Sequence, residues 1–114
     1  MQTKKEIKEA YKSLKFRAGI YQIKNTLHDM IYLQTSTDLD RAFNADLFKL
    51  NAGMHPNKSL QKDWNNIGAS NFEMASYEEL TAQDTLSPAE IQQELKALLE
   101  MHISELKDAG KSVY

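Results

Sequence analysis

The sequence predicts an α+β fold: a small, three-stranded, mainly antiparallel sheet flanked by helices, with an extra helix at the N-terminus. Three observations predict it. Two stretches rich in β-branched and aromatic residues, 16–24 and 30–35, lie on either side of a short polar turn. Four other stretches repeat apolar residues at helical intervals behind recognisable capping residues. The 114 residues are 41% hydrophobic and 26% charged, which is the composition of a chain that buries one core. A single domain over residues 1–114 is therefore expected, with 1–16 as the helical extension and 17–108 as the core.

Thr3 and Glu6 have capping-box spacing, and Ile7, Ala10, Tyr11 and Leu14 follow at helical intervals, so residues 4–15 read as an amphipathic helix with a lysine-rich outer face. FRAGIYQIK (16–24) and MIYLQT (30–35) form a hairpin around Asn25, His28 and Asp29. From Asp38 the period changes: Leu39, Ala42, Phe43, Leu47 and Leu50 share a helical face, and Gly53 stops the helix. Asn57 caps another helix carrying Leu60, Trp64 and Ile67, with Trp64 a core residue, and Gly68 ends it. NFEMASY (71–77) reads as the third strand and 78–86 as a loop. Ser87, Pro88 and Glu90 then combine an N-cap, a first-turn proline and a capping-box acid. The helix they open has an apolar stripe of Ile91, Leu95, Leu98, Leu99, His102, Ile103 and Leu106.

Composition also excludes classes of function. With no cysteine, the chain has neither disulfides nor a thiolate metal site, so carboxylates and imidazoles would have to hold any metal. No apolar run approaches the roughly 20 residues of a membrane span, and the charged N-terminus lacks a secretory apolar region, so a cytoplasmic location is expected. The net charge of -2 conceals a gradient: residues 1–27 carry +5, residues 28–71 carry -1 and residues 72–114 carry -6. The basic part could meet phosphate only if the acidic part lies on a different face.

Gly19-Ile20-Tyr21 on the first strand, Ile31-Tyr32-Leu33 on the second, Asp38-Leu39 at a helix start and the run from His55 to Trp64 occur in a fixed order. That ordered set resembles the GIY-YIG endonuclease family, and GIYQIKNTL is especially similar to the opening of phage intron-encoded homing endonucleases. The resemblance covers about residues 18–106. It implies a groove holding two tyrosines, an arginine on the next helix that stabilises the scissile phosphate, and a glutamate on the last helix that binds a divalent metal. On that resemblance Tyr21 and Tyr32 take the tyrosine positions, sharing one sheet face, and His55 takes that of a histidine able to touch phosphate or shuttle a proton. As ordinary residues, the tyrosines are surface aromatics of strands and His55 is a polar loop residue.

Several positions depart from the family. Gln34 replaces the second motif's glycine and narrows the groove. Ala42 falls where the arginine belongs, and Arg41 beside it points about 100° away. Asp46 replaces a histidine and puts negative charge near a bound phosphate. Leu99 takes the place of the glutamate, with Glu100 facing elsewhere and His102 an ordinary helix residue. Ala42 and Leu99 are expected on facing helices that converge near Tyr21. The family's closing tyrosine matches Tyr114.

The expected function is a GIY-YIG-like module that binds DNA or RNA through Lys49, Lys58 and Lys62, with phosphodiester hydrolysis lost or much reduced and no metal or other cofactor. One rival is an active nuclease using Mg²⁺ or Mn²⁺ at a site rebuilt from Arg41, Glu100 or His102. Another is a protein-interaction domain that keeps only the scaffold, with a protein partner and no membrane.

Overall fold

The computed structural model describes residues 17–80 and 86–114. Its elements are β1 (Gly19–Asn25), β2 (Met30–Ser36), α1 (Leu39–Ala52), α2 (Lys58–Ile67), a short 3-10 turn (Ala69–Asn71), β3 (Phe72–Glu79), α3 (Pro88–Asp108) and β4 (Ser112–Val113). The helix expected at 4–15 lies outside the described residues, as do residues 81–85 of the expected loop. Glu78 and Glu79, also assigned to that loop, extend β3 instead.

The caps behave as their chemistry requires. The Asp38 side chain accepts from the Arg41 N–H and opens α1, whereas Gly53, at φ 73°, closes it in the left-handed conformation that L side chains resist. Asn57 accepts from the Leu60 N–H at the start of α2, and Ser87 with Glu90 forms a complete capping box on α3.

The strands form one sheet in the order β3-β1-β2-β4. β1 pairs antiparallel with both β2 and β3, while β4 runs parallel to β2 through Met30–Ser112 and Ile31–Val113. The sheet is thus four-stranded and mixed rather than three-stranded and antiparallel. β4 escapes sequence reading because two residues are too few to show a period, and only the neighbouring strand makes them a strand.

Alternation along β1 and β2 divides the core into two layers. Tyr21, Ile23 and Tyr32 face Leu39, Leu50, Leu60 and Trp64 from α1 and α2. On the other side Ile20, Ile31 and Leu33 receive Leu98, Leu99, Ile103 and Leu106 of α3. Leu47, expected on the inner face of α1, is instead 40% exposed. Asp46 is the residue one turn before Leu50 that points inward.

Polar groups tie these layers at three places. Asn25, fully buried, accepts from the Leu27 and His28 N–H groups in the hairpin turn and donates to the Tyr114 hydroxyl at 2.9 Å. That hydroxyl donates to Asp63 Oδ2 at 2.6 Å, so one chain of hydrogen bonds joins the hairpin, the segment after α3 and α2. Arg17 bridges Asp40 at 3.0 Å and Glu79 at 2.8 Å at the surface. His102 sits between Glu78, which touches Nε2, and Glu105, 3.4 Å from Nδ1, with its ring against Tyr77.

Gly19 marks where β3 comes closest to β1. A Cβ there would lie 2.1 Å from the Glu78 carbonyl oxygen and 2.8 Å from the Glu79 Cα, next to the register shift between Ile20 and Tyr21. The motif's glycine is therefore a steric requirement of the β1–β3 pairing. Gly19→Ala is expected to destabilise the chain by about 1–3 kcal/mol, the usual cost of forcing an extra carbon into a packed site. Urea unfolding measures this, and a midpoint unchanged from the parent would refute it.

Candidate functional site

Tyr21 and Tyr32 reach the same side of the sheet because Tyr32 pairs with Ile23, two residues along β1 from Tyr21. Their ring centroids are 6.4 Å apart, edge to face. Phe43 of α1 closes over Tyr21 at 5.7 Å, and the imidazole of His55 stands against Tyr32 at 5.3 Å. Shared placement of the two tyrosines agrees with the sequence expectation. Their surroundings are closed, however, for Tyr21 and Tyr32 are only 4% and 9% exposed.

The centre of this cluster is a carboxylate. Asp46 projects inward from α1 and accepts a 2.5 Å hydrogen bond from the Tyr21 hydroxyl at Oδ2, while its Oδ1 lies 3.5 Å from His55 Nε2. The second contact is too long for a good hydrogen bond, and Nε2 has no other partner. It acts by charge and dipole rather than as a formed bond.

His55 is buried, not a polar residue of an exposed loop. Its backbone N–H donates to Gln61 Oε1, and its Nδ1 accepts from the Asn57 N–H, both at 3.0 Å. Gln61, itself buried, donates to the Leu50 carbonyl at 2.9 Å and to Asn65 Oδ1 at 3.0 Å. With Nδ1 used as an acceptor, the neutral ring keeps its proton on Nε2, facing Asp46. The α1–α2 turn thus fixes both the position and the tautomer of the histidine.

Burial raises the pKa of the Tyr21 phenol far above its ordinary value, and the hydrogen bond to Asp46 raises it further. Burial also raises Tyr32, opposed by a hydrogen bond with Gln34 and reinforced by the Asp46 charge. At neutral pH both phenols keep their protons. Tyr21 is a committed donor, already satisfied by a protein carboxylate.

The other positions are dispersed. Ala42 packs on the tyrosine side of the sheet, whereas Leu99 packs on the Ile20, Ile31 and Leu33 side. Leu99 also lines a cavity with Gln34, the residue that pairs with Tyr21 across the hairpin. Arg41 and Glu100 are exposed, and His102 is held between two carboxylates. Gln34 Oε1 turns back to accept from the Thr35 N–H at 2.9 Å.

Leu99 is partly buried against the cluster that α3 covers, and no group of three metal-ligating side chains occurs among the described residues. Lys49, Lys58 and Lys62 are exposed. Lys58 and Lys62 line one cavity of about 420 Å³ with Gly53, Met54, His55, Gln61 and Asn65.

The arrangement matches known structures. The catalytic domain of homing endonuclease I-TevI superposes with a TM-score of 0.62 over 83% of this chain and 94% of that one, at 29% identity. A variant of the catalytic domain of intron endonuclease I-TevI superposes with a TM-score of 0.68 over 85% and 91%, at 26% identity. The chain has a GIY-YIG-type endonuclease fold. Intron-associated endonuclease 1 of Enterobacteria phage T4 is 33% identical over 70 residues, which are 61% of this chain and 28% of that protein. The GIY-YIG-like region therefore corresponds to little more than a quarter of that relative's length. No protein-family profile matches the chain.

Sequence reasoning identified Asp46 as a charge opposed to phosphate but missed that it is buried and bonded to Tyr21. The signal was available: Leu39, Phe43 and Leu50 are spaced so that position 46 completes their helical face.

Because the folded state holds the Tyr21 and Tyr32 pKa values above the ordinary 10, and that of Tyr114 at about 12, the unfolded chain releases these protons first as pH rises. Their contribution to stability is full below about pH 10 and is lost progressively above it. Tyr21→Phe removes one of these groups and leaves Asp46 without its bonded donor. This variant is expected to be about 1–3 kcal/mol less stable at neutral pH and to lose stability less steeply above pH 10. Urea titrations at stepped pH test this, and parallel curves for parent and variant would contradict it.

Proposed function

We propose that the chain is a GIY-YIG-fold module that binds nucleic acid and has lost most or all phosphodiester hydrolysis. The observation that carries this reading is the Asp46 carboxylate hydrogen-bonded to Tyr21 inside the tyrosine cluster. In a phosphodiester transition state, charge on the phosphate oxygens must be met by fixed cations and free donors. Here the donor at Tyr21 is occupied and a fixed anion stands beside it.

Binding is the part of the reading favoured by the charge distribution. Lys49, Lys58 and Lys62 are exposed on α1 and α2, while Glu90, Glu94, Glu100, Glu105 and Asp108 belong to α3, across the sheet. The acidic helix is thereby removed from these lysines, whereas most of the basic stretch 1–27 lies outside the described residues. The similar endonucleases support nucleic acid as the partner class. The rebuilt-nuclease alternative has less support, because Arg41, Glu100 and His102 are not gathered into one site.

Incubation with supercoiled and single-stranded DNA, with and without Mg²⁺ or Mn²⁺, is expected to give no cleavage from either the parent or Tyr21→Phe. Metal-dependent cleavage that Tyr21→Phe abolishes would replace this reading with the active-nuclease one.

Binding to DNA is expected to weaken as salt rises, through counterion release. Lys58→Ala combined with Lys62→Ala should lower affinity and the salt slope while leaving the unfolding midpoint within about 0.5 kcal/mol of the parent, as both side chains are at the surface. Salt-independent binding, or none, would favour a protein-interaction role.

A further inference from the structure

Large apolar side chains left in water need a reason when they gather among unpaired cations. Phe48 is 72% exposed and Met54 71%, both at the C-terminal end of α1 or in the turn that follows. The Met54 N–H donates to the Lys49 carbonyl at 2.8 Å, which brings the turn against the last turn of α1, and Met54 shares its cavity with Lys58 and Lys62. Among the described residues, none of these three lysines has a carboxylate within ion-pair distance. Asn65 on the cavity wall adds an amide able to meet a base edge.

Resting on the nucleic-acid reading above, we propose that this end of α1 and the α1–α2 turn bind unpaired nucleic acid. A base stacks on the exposed Phe48 ring, the adjoining phosphates lie on Lys49, Lys58 and Lys62, and a neighbouring base enters the cavity beside Met54. The ring decides between single strands and duplex. In a duplex the base faces are stacked inward and only edges and phosphates are presented, so an exposed phenyl ring gains little. In a single strand each base offers a face, and alternating aromatic and cationic groups match alternating bases and phosphates. The three unpaired cations favour a polyanion, and the acidic α3 lies on the far side of the sheet.

The test uses the full chain and two fluorescein-labelled probes of about 12 units, an oligothymidylate and a mixed-sequence duplex, read by anisotropy at low and moderate salt. The oligothymidylate is expected to bind more tightly than the duplex. Phe48→Ala should weaken it about tenfold, the scale of losing one base–aromatic stack, whereas Phe48→Trp should retain it. Circular dichroism establishes that both variants are folded, as expected for an exposed position. Equal or tighter binding of the duplex, or no effect of Phe48→Ala, overturns the proposal while leaving nucleic-acid binding intact. Binding of neither probe overturns the broader reading as well. Displacement of the oligothymidylate by polyglutamate at equal charge concentration would show a surface that reads charge alone, and would also overturn it.

Discussion

A carboxylate taken out of water must be met by donors, and Asp46 is the place where this chain satisfies that demand. Removing an ionised group from solvent costs several kcal/mol unless hydrogen bonds and opposite charge compensate. Tyr21 supplies the short bond, and His55 presents its Nε2 proton from the other side. His55 is there only because Gln61 and Asn57 hold the turn that carries it, and Gln61 also grips the end of α1 through the Leu50 carbonyl. One buried charge therefore couples the hairpin, both helices of that layer and the turn between them. The same geometry puts a fixed anion beside Tyr21, so stability of this layer and hydrolysis of a phosphodiester make opposite demands on one place.

The rest of the sheet is held by contacts that do not involve this cluster. Strand alternation divides the apolar residues into two layers, and the α1–α2 layer contains the cluster of Tyr21, Tyr32, Asp46 and His55. The β1–β3 approach depends on the missing side chain of Gly19, and the hairpin turn depends on Asn25 and its bonds to Tyr114 and onward to Asp63. None of these requirements involves phosphate or metal chemistry. The motif residues Gly19 and Ile20 are thus held by steric fit and burial, independently of any catalytic demand on Tyr21. This is the physical content of the statement that a scaffold can outlast its chemistry.

The sequence was most informative where local chemistry determines local structure. Asp38, Gly53, Asn57 and Ser87 announced helix ends that the structure places within a residue, since each cap acts over a single turn. Period two across the hairpin was enough to put Tyr21 and Tyr32 on one face. Reading failed where the deciding contact is remote. Ser112 and Val113 form a strand only because Met30 and Ile31 are beside them. His55 looked exposed because histidine before proline is usually polar surface, yet Gln61 and Tyr32 enclose it. Position 46 was passed over for Leu47 because the eye follows apolar residues, although the helical period pointed to Asp46. Residue type and period disagreed there, and such disagreement marks a buried polar site.

The placement of Ala42 bears on the proposal that hydrolysis has been lost. Ala42 and Asp46 are one turn apart on the same helix, at the spacing where side chains meet. An arginine introduced at 42 would find the Asp46 carboxylate before it found a phosphate, and the pair would neutralise each other in a partly buried layer. A glutamate at 99 would stand at a partly buried position that packs on Ile20, Ile31 and Leu33 and also lines a cavity with Gln34, Thr35, Gln92, Gln93 and Lys96. The two substitutions that look corrective in a linear comparison would thus meet different surroundings, the first of them muted by a neighbouring carboxylate. On the proposed reading, the carboxylate bonded to Tyr21 opposes hydrolysis as directly as Ala42 and Leu99 do. Removing that carboxylate would also remove the hydrogen bond that couples β1 to α1.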